Sequence, residues 1–152
     1  MSSRIIGDTF HTDRLVRFSY CDPAGIIFYP QYFVMFNGLV EDWFNQGMGV
    51  DYAGFINDHR LGFPIVNLSC DFIVPSKIGE IITLVLKVEA IGRSSLKLKA
   101  SVQYLGQERV SAKLVLVAMD LDAGKAVALP DELRLLMMSF HEGKLDTNSY
   151  DA

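Results

Sequence analysis

Cysteine is scarce in this chain: two residues in 152, Cys21 and Cys70, with no Cys-x-x-Cys spacing. That excludes a disulfide framework and a cysteine zinc site, and a reducing cytoplasm is the expected setting. Histidine is sparse too. His11, His59 and His141 share no metal-ligand spacing, so no metal is expected. Basic charge falls short of acidic, 14 Lys+Arg against 18 Asp+Glu, for a net charge of -4. Nucleic acid needs a basic surface to neutralise phosphates, so it is not an expected partner. No apolar run approaches the ~18 residues of a membrane span. The opening Met1-Ser2-Ser3-Arg4-Ile5-Ile6-Gly7-Asp8 lacks the apolar stretch of a secretory signal. Neither a membrane nor export is expected. Also absent are a Gly-x-Ser-x-Gly elbow, a P-loop and a dinucleotide fingerprint.

What is present is apolar: 50% of the residues are hydrophobic and 21% charged, an ordinary globular balance. The length suits one domain with one core. No repeat, low-complexity block or linker divides the chain. We therefore read a single domain over 1–152, with a core at about 12–120, a C-terminal helix at about 130–140 and a polar tail.

Residues 12–20 alternate loosely and read as a first strand. Residues 31–45 carry Tyr32, Phe33, Val34, Met35, Phe36, Leu39, Val40, Trp43 and Phe44, apolar over most of a helical wheel. That predicts a long helix buried on most sides. A shorter helix is expected over 51–59. The period then falls to two in 64–74, 80–90, 95–104 and 109–120, with turn residues at 75–79, 92–94 and 106–108. Strands joined by turns this short pair antiparallel. The 109–120 run is apolar on both faces, which suits a central strand or a subunit interface. Pro130, Asp131 and Glu132 open a last helix. The class is α+β: a five-stranded antiparallel sheet with one long central helix that needs a sheet wrapped around it.

One stretch carries the chemistry, Cys21-Asp22-Pro23-Ala24-Gly25-Ile26-Ile27-Phe28-Tyr29. Asp22-Pro23-Ala24-Gly25 has a type I turn signature, and Pro30 suits the first position of a helix. A helix N-terminus offers unsatisfied N–H groups and a positive dipole end. A carboxylate held beside it would attack a carbonyl or activate water, while the helix end stabilises the oxyanion. By itself Asp22 reads more readily as a turn-capping residue, whose side chain satisfies nearby amides. Cys21 has no His near it in sequence and reads as an inert buried thiol.

The segment Phe18-Ser19-Tyr20-Cys21-Asp22-Pro23-Ala24-Gly25-Ile26-Ile27-Phe28-Tyr29-Pro30-Gln31-Tyr32 resembles the active-site segment of the 4-hydroxybenzoyl-CoA thioesterase family. The resemblance extends more weakly through Gly62-Phe63-Pro64-Ile65-Val66 and Gly92-Arg93-Ser94-Ser95, covering about 12–120. It implies a hot-dog fold, a sheet rolled around one helix, in dimers or dimers of dimers. It implies hydrolysis of an acyl-CoA thioester, of which an aromatic acyl-CoA is one form, to free acid and CoA without cofactor or metal. Asp22 would be nucleophile or general base, and the Tyr29 backbone N–H would polarise the carbonyl. Asn37 would lie in the acyl pocket, and Arg93, with Ser94 and Ser95, would meet CoA phosphate. The family pattern often has a second acid where this chain has Tyr20. The alternative is a hot-dog protein that binds acyl-CoA or a partner without chemistry. A hot-dog dehydratase is disfavoured because no His stands between Thr12 and Asp58.

Overall fold

The computed structural model describes residues 2–145, so most of the polar tail falls outside the described residues. Strands β1 (Ser3–Ile6) and β2 (Thr9–Leu15) form an antiparallel hairpin. Its turn places Gly7 at φ 60°, a left-handed conformation that glycine adopts without a Cβ clash. The strand expected over 12–20 therefore begins earlier and stops at Leu15. Residues Phe18–Tyr20 form one 3-10 turn instead.

Beyond the first turn come helix α1 (Pro30–Asp42), a π turn (Trp43–Gly47) and helix α2 (Tyr52–Asn57). Then follow β3 (Leu61–Gly62), β4 (Ile65–Phe72), β5 (Ile81–Ile91), β6 (Ser95–Tyr104) and β7 (Gln107–Val117). The short β8 (Met119–Asp120), β9 (Lys125–Ala126) and helix α3 (Asp131–His141) close the described chain. The main sheet is antiparallel with six strands in the order β1-β2-β5-β6-β7-β4, and β3, β8 and β9 make a small second sheet. The expected count of five is corrected by β1, whose Ser3-Arg4-Ile5-Ile6 lacks the alternation that marks the other strands. The doubly apolar run becomes β7, which lies between β6 and β4 as an interior strand.

Strand alternation places the core. Ile82, Leu84, Leu86 and Val88 of β5, Leu96, Leu98, Ala100 and Val102 of β6, and Val110, Ala112, Leu114 and Leu116 of β7 are all buried. Against them α1 sets Tyr32, Met35, Phe36, Leu39 and Val40, an i, i+3, i+4, i+7, i+8 stripe. Each fully buried side chain of this size stabilises by about 1.5–3 kcal/mol relative to exposure. The expectation of a helix buried on most sides is corrected: Val34, Asn37 and Glu41 form an exposed face. A Met48 N–H to Trp43 carbonyl bond of 2.7 Å closes the π turn, which keeps Trp43 and Phe44 inside. Helix α3 buries Leu133, Met137 and Phe140, with Trp43 edge-on to Phe140 at 5.3 Å between ring centroids. Pro130 caps this helix from outside rather than opening it.

Candidate active site

The segment before α1 is folded by its own backbone. Asp22 carbonyl accepts from Gly25 N–H at 3.0 Å, with Gly25 at φ 79°, so the four-residue turn forms. Asp22 N–H donates to Ile26 carbonyl at 2.9 Å and Phe28 N–H to Tyr20 carbonyl at 2.9 Å, while Cys21 pairs with Ile27. Residues 20–28 are thus a small hairpin with Asp22 at its turn. Its second leg is bound by the β4–β5 loop. Ile27 N–H donates to Ser76 carbonyl at 3.0 Å, and Ile78 N–H to Gly25 carbonyl at 2.9 Å.

Asp22 Oδ1 accepts from Ala24 N–H at 2.8 Å, so the turn-capping role is real. Among the described residues, Oδ2 has no hydrogen-bond partner. At the helix start Gln31 N–H donates to Phe28 carbonyl and Tyr32 N–H to Tyr29 carbonyl, and Pro30 has no N–H. That leaves Tyr29 N–H, which bonds to no other described residue, as the free donor at this end of α1. Cys21 Sγ donates to Arg17 carbonyl, and burial, with the Asp22 charge beside it, pushes the thiol up, so it stays protonated and weakly nucleophilic.

Next to this hairpin lies an apolar cavity of about 150 Å³ lined by Ile26, Tyr29, Tyr32, Phe72, Pro75 and Val110. Phe72, half exposed, meets the rings of Tyr29 and Tyr32 at 6.1 and 5.8 Å between centroids. A larger cavity, about 380 Å³, is lined by Phe55, His59, Arg60, Asp120 and Glu132 and contains neither Asp22 nor Tyr29. Two of its charged groups are already engaged: Arg60 holds Asp122, and Asp120 accepts from the Asp122 and Ala123 amides.

The other expected residues are not gathered here within one chain. Asn37 is exposed on the outward side of α1, outside the apolar cavity. Arg93, Ser94 and Ser95 form the β5–β6 turn, at the far end of β5 from the Asp22 hairpin, roughly 30 Å away along an extended strand. Arg134 of α3 donates to the Gly92 and Arg93 carbonyls and fixes that turn. The sequence reading missed Phe72 as a cavity wall. Phe72 keeps the inward phase of Leu68 and Cys70, but as the last residue of β4 it meets the rings of Tyr29 and Tyr32 rather than the sheet core. Among the described residues, no cluster of His, Cys, Asp and Glu could hold a metal ion, and no helix is long and apolar enough to cross a membrane.

A family model for the thioesterase-like superfamily matches residues 16–135. A 1,4-dihydroxy-2-naphthoyl-CoA hydrolase of Nostoc punctiforme is 27% identical over 130 residues, 82% of this chain and 84% of that protein. Among solved structures, a 1,4-dihydroxy-2-naphthoyl-CoA thioesterase from Synechocystis superposes with a TM-score of 0.78 at 20% identity, over 86% of this chain and 96% of that one. The 4-hydroxybenzoyl-CoA thioesterase of Pseudomonas sp. strain CBS-3 gives a TM-score of 0.76 at 22% identity, over 84% and 98%. These likenesses establish the hot-dog architecture around the hairpin just described.

Proposed function

The chain belongs to the thioesterase-like superfamily, and on that premise we propose that it hydrolyses acyl-CoA thioesters, with Asp22 and the Tyr29 amide as the reacting pair. The observation that carries the reading is the free Tyr29 N–H at the start of α1, beside a hairpin whose turn presents Asp22. As water adds to a thioester, charge develops on the carbonyl oxygen. A preorganised backbone donor at a helix N-terminus is suited to hold it and contributes about 2.7–4 kcal/mol in comparable sites. Two routes use the same carboxylate. Asp22 Oδ2 attacks the carbonyl carbon, CoA leaves as thiolate and is protonated, and water cleaves the mixed anhydride. Alternatively Asp22 takes a proton from water as it attacks, and the thiolate leaves with a proton. Either yields acid and thiol from thioester and water, with no cofactor.

The apolar cavity walled by Tyr29, Tyr32 and Phe72 suits an aromatic acyl group, the kind named in the relatives' substrates. A second copy completes the reading. β4 is an edge strand with Val66 and Phe72 half exposed, as is Ile73 just beyond it, and the unpaired edge is suited to antiparallel pairing about a two-fold axis. Such pairing reverses strand ends. It brings the Arg93, Ser94 and Ser95 turn of one copy toward the Asp22 end of the other, where the guanidinium would meet CoA phosphate. Asn37 faces outward along α1, about 12 Å beyond Tyr29, where it would meet the polar end of an acyl group.

The second reading, a hot-dog domain that binds acyl-CoA without chemistry, draws on the engagement of Asp22 Oδ1 by Ala24. The test follows thiol release from short, long and aromatic acyl-CoAs by the wild type and Asp22→Asn. We expect hydrolysis by the wild type and a loss of about 10²–10⁴-fold in a folded Asp22→Asn protein. Full turnover in Asp22→Asn, or binding with no hydrolysis in the wild type, refutes the enzymatic reading.

A further inference from the structure

The β4–β5 loop that holds the Asp22 hairpin is itself locked by a side chain from a distant strand. Strand β7 carries an extra residue opposite the Val102/Gln103 step of β6: Val102 pairs with Val110 and Gln103 with Glu108, which leaves Arg109 as the bulge. A bulge re-aims the side chain at its position. Other residues of the same parity, such as Lys113, point to solvent, whereas Arg109 is only 8% exposed. Its guanidinium donates to Ser76 Oγ at 3.2 Å and to Glu80 at 2.7 Å (Oε1) and 3.2 Å (Oε2), and it lies 4.2 Å from the Tyr104 ring centroid. Its carbonyl accepts from both Ile73 and Val74 N–H. Glu80 Oε1 also accepts from Lys77 N–H at 2.5 Å, closing the loop on itself.

Every bond from this loop to the hairpin starts from a residue that Arg109 and Glu80 fix or bracket. Ser76 carbonyl holds Ile27 and Ile78 N–H holds Gly25, while Glu80 carbonyl and Gly79 N–H hold Val16, four residues ahead of the hairpin. An ion pair this buried is weak evidence for stability alone, because desolvation offsets most of its Coulombic gain and a well-packed apolar pair replaces it at little cost. Its geometry, a bidentate fork plus a third donor on Ser76, is specific. We propose that Arg109 and Glu80, acting through Ser76, are positioning residues that hold the Asp22 hairpin in register with the start of α1. This rests on the thioesterase reading above.

The test separates positioning from stability. Arg109→Met alone strands a part-buried carboxylate, and both thermal stability and kcat fall. The double variant Arg109→Met/Glu80→Met removes both charges, so its Tm returns toward the wild type. Its kcat stays reduced by about 10- to 100-fold, with a smaller change in KM, because the loop no longer fixes the hairpin. Arg109→Lys, which keeps the charge without the fork, recovers Tm better than kcat. Amide hydrogen exchange at Ile27 and Ile78 is read on the same proteins and rises in the double variant. A double variant with wild-type kcat, or with unchanged exchange at those amides, overturns the proposal. If the wild type hydrolyses no acyl-CoA, the thioesterase reading fails by itself, and the exchange measurement still decides whether Arg109 and Glu80 hold the hairpin.

Discussion

Two glycines isolate what the Asp22 turn contributes. Gly25 and Gly7 both have left-handed backbones, at φ 79° and 60°. An alanine Cβ at Gly25 would meet only Ile78 Cγ2, at an ordinary 3.5 Å, and one at Gly7 would meet nothing within 4 Å. Space is therefore no obstacle at either site, and the cost of Gly→Ala is that of a left-handed L-residue, about 1–2 kcal/mol. For a chain of this size that lowers Tm by about 2–8 °C. The functional cost should differ. Gly25 relieves its strain by rotating out of the bonds that join it to Asp22 and Ile78, which moves the carboxylate. Gly7 relieves its strain in the β1–β2 turn, which among the described residues makes no hydrogen bond to Asp22 or Tyr29. We expect matched losses of stability in thermal melts, with kcat for an accepted acyl-CoA falling about 10-fold or more in Gly25→Ala and holding in Gly7→Ala. A Gly25→Ala protein with wild-type kcat, or equal losses of kcat in both variants, would refute the claim that the turn places Asp22.

Two further outcomes follow from packing and charge. Gly47→Ala puts a Cβ 2.8 Å from Trp43 Cδ1 and 3.2 Å from Phe10 Cδ1, inside the core. It should cost about 1–3 kcal/mol, read as a lower urea midpoint at unchanged m. The Arg109 guanidinium holds the Glu80 carboxyl below its ordinary value, despite burial acting in the opposite direction. The unfolded chain therefore binds this proton more readily. The stabilisation is complete above the unfolded carboxyl pKa of about 4.3 and is lost as pH falls toward the folded value. Denaturation between pH 7 and pH 3 should show a shallower acid loss in Glu80→Gln; an unchanged slope would remove Glu80 from the account.

The turn at Asp22 was legible because its signals are local, whereas the hairpin around it was not. Asp22, Pro23 and Gly25 dictate a turn within four residues, and Pro30 marks a helix start from its own ring. Strands β5, β6 and β7 were equally legible, since alternation survives wherever one face is buried. β1 was not, because a four-residue edge strand has too few positions to show a period. The outward face of α1 was hidden by Val34, an apolar residue on the exposed side.

By itself, then, the sequence offered the candidates for the chemistry and determined the local shapes that carry them: a carboxylate in a tight turn, a helix opening on Pro30, and a set of amphipathic strands. Only the tertiary structure decided what stands behind them. Arg109 lies 33 residues from Ser76 and 29 from Glu80, and a one-residue bulge turns its side chain inward. Nothing in the neighbouring sequence encodes that direction, since a bulge depends on how two strands pair. The separation of the Arg93 turn from Asp22 has the same origin. Each turn is written locally, but the distance between them is set by the length and order of the strands that join them.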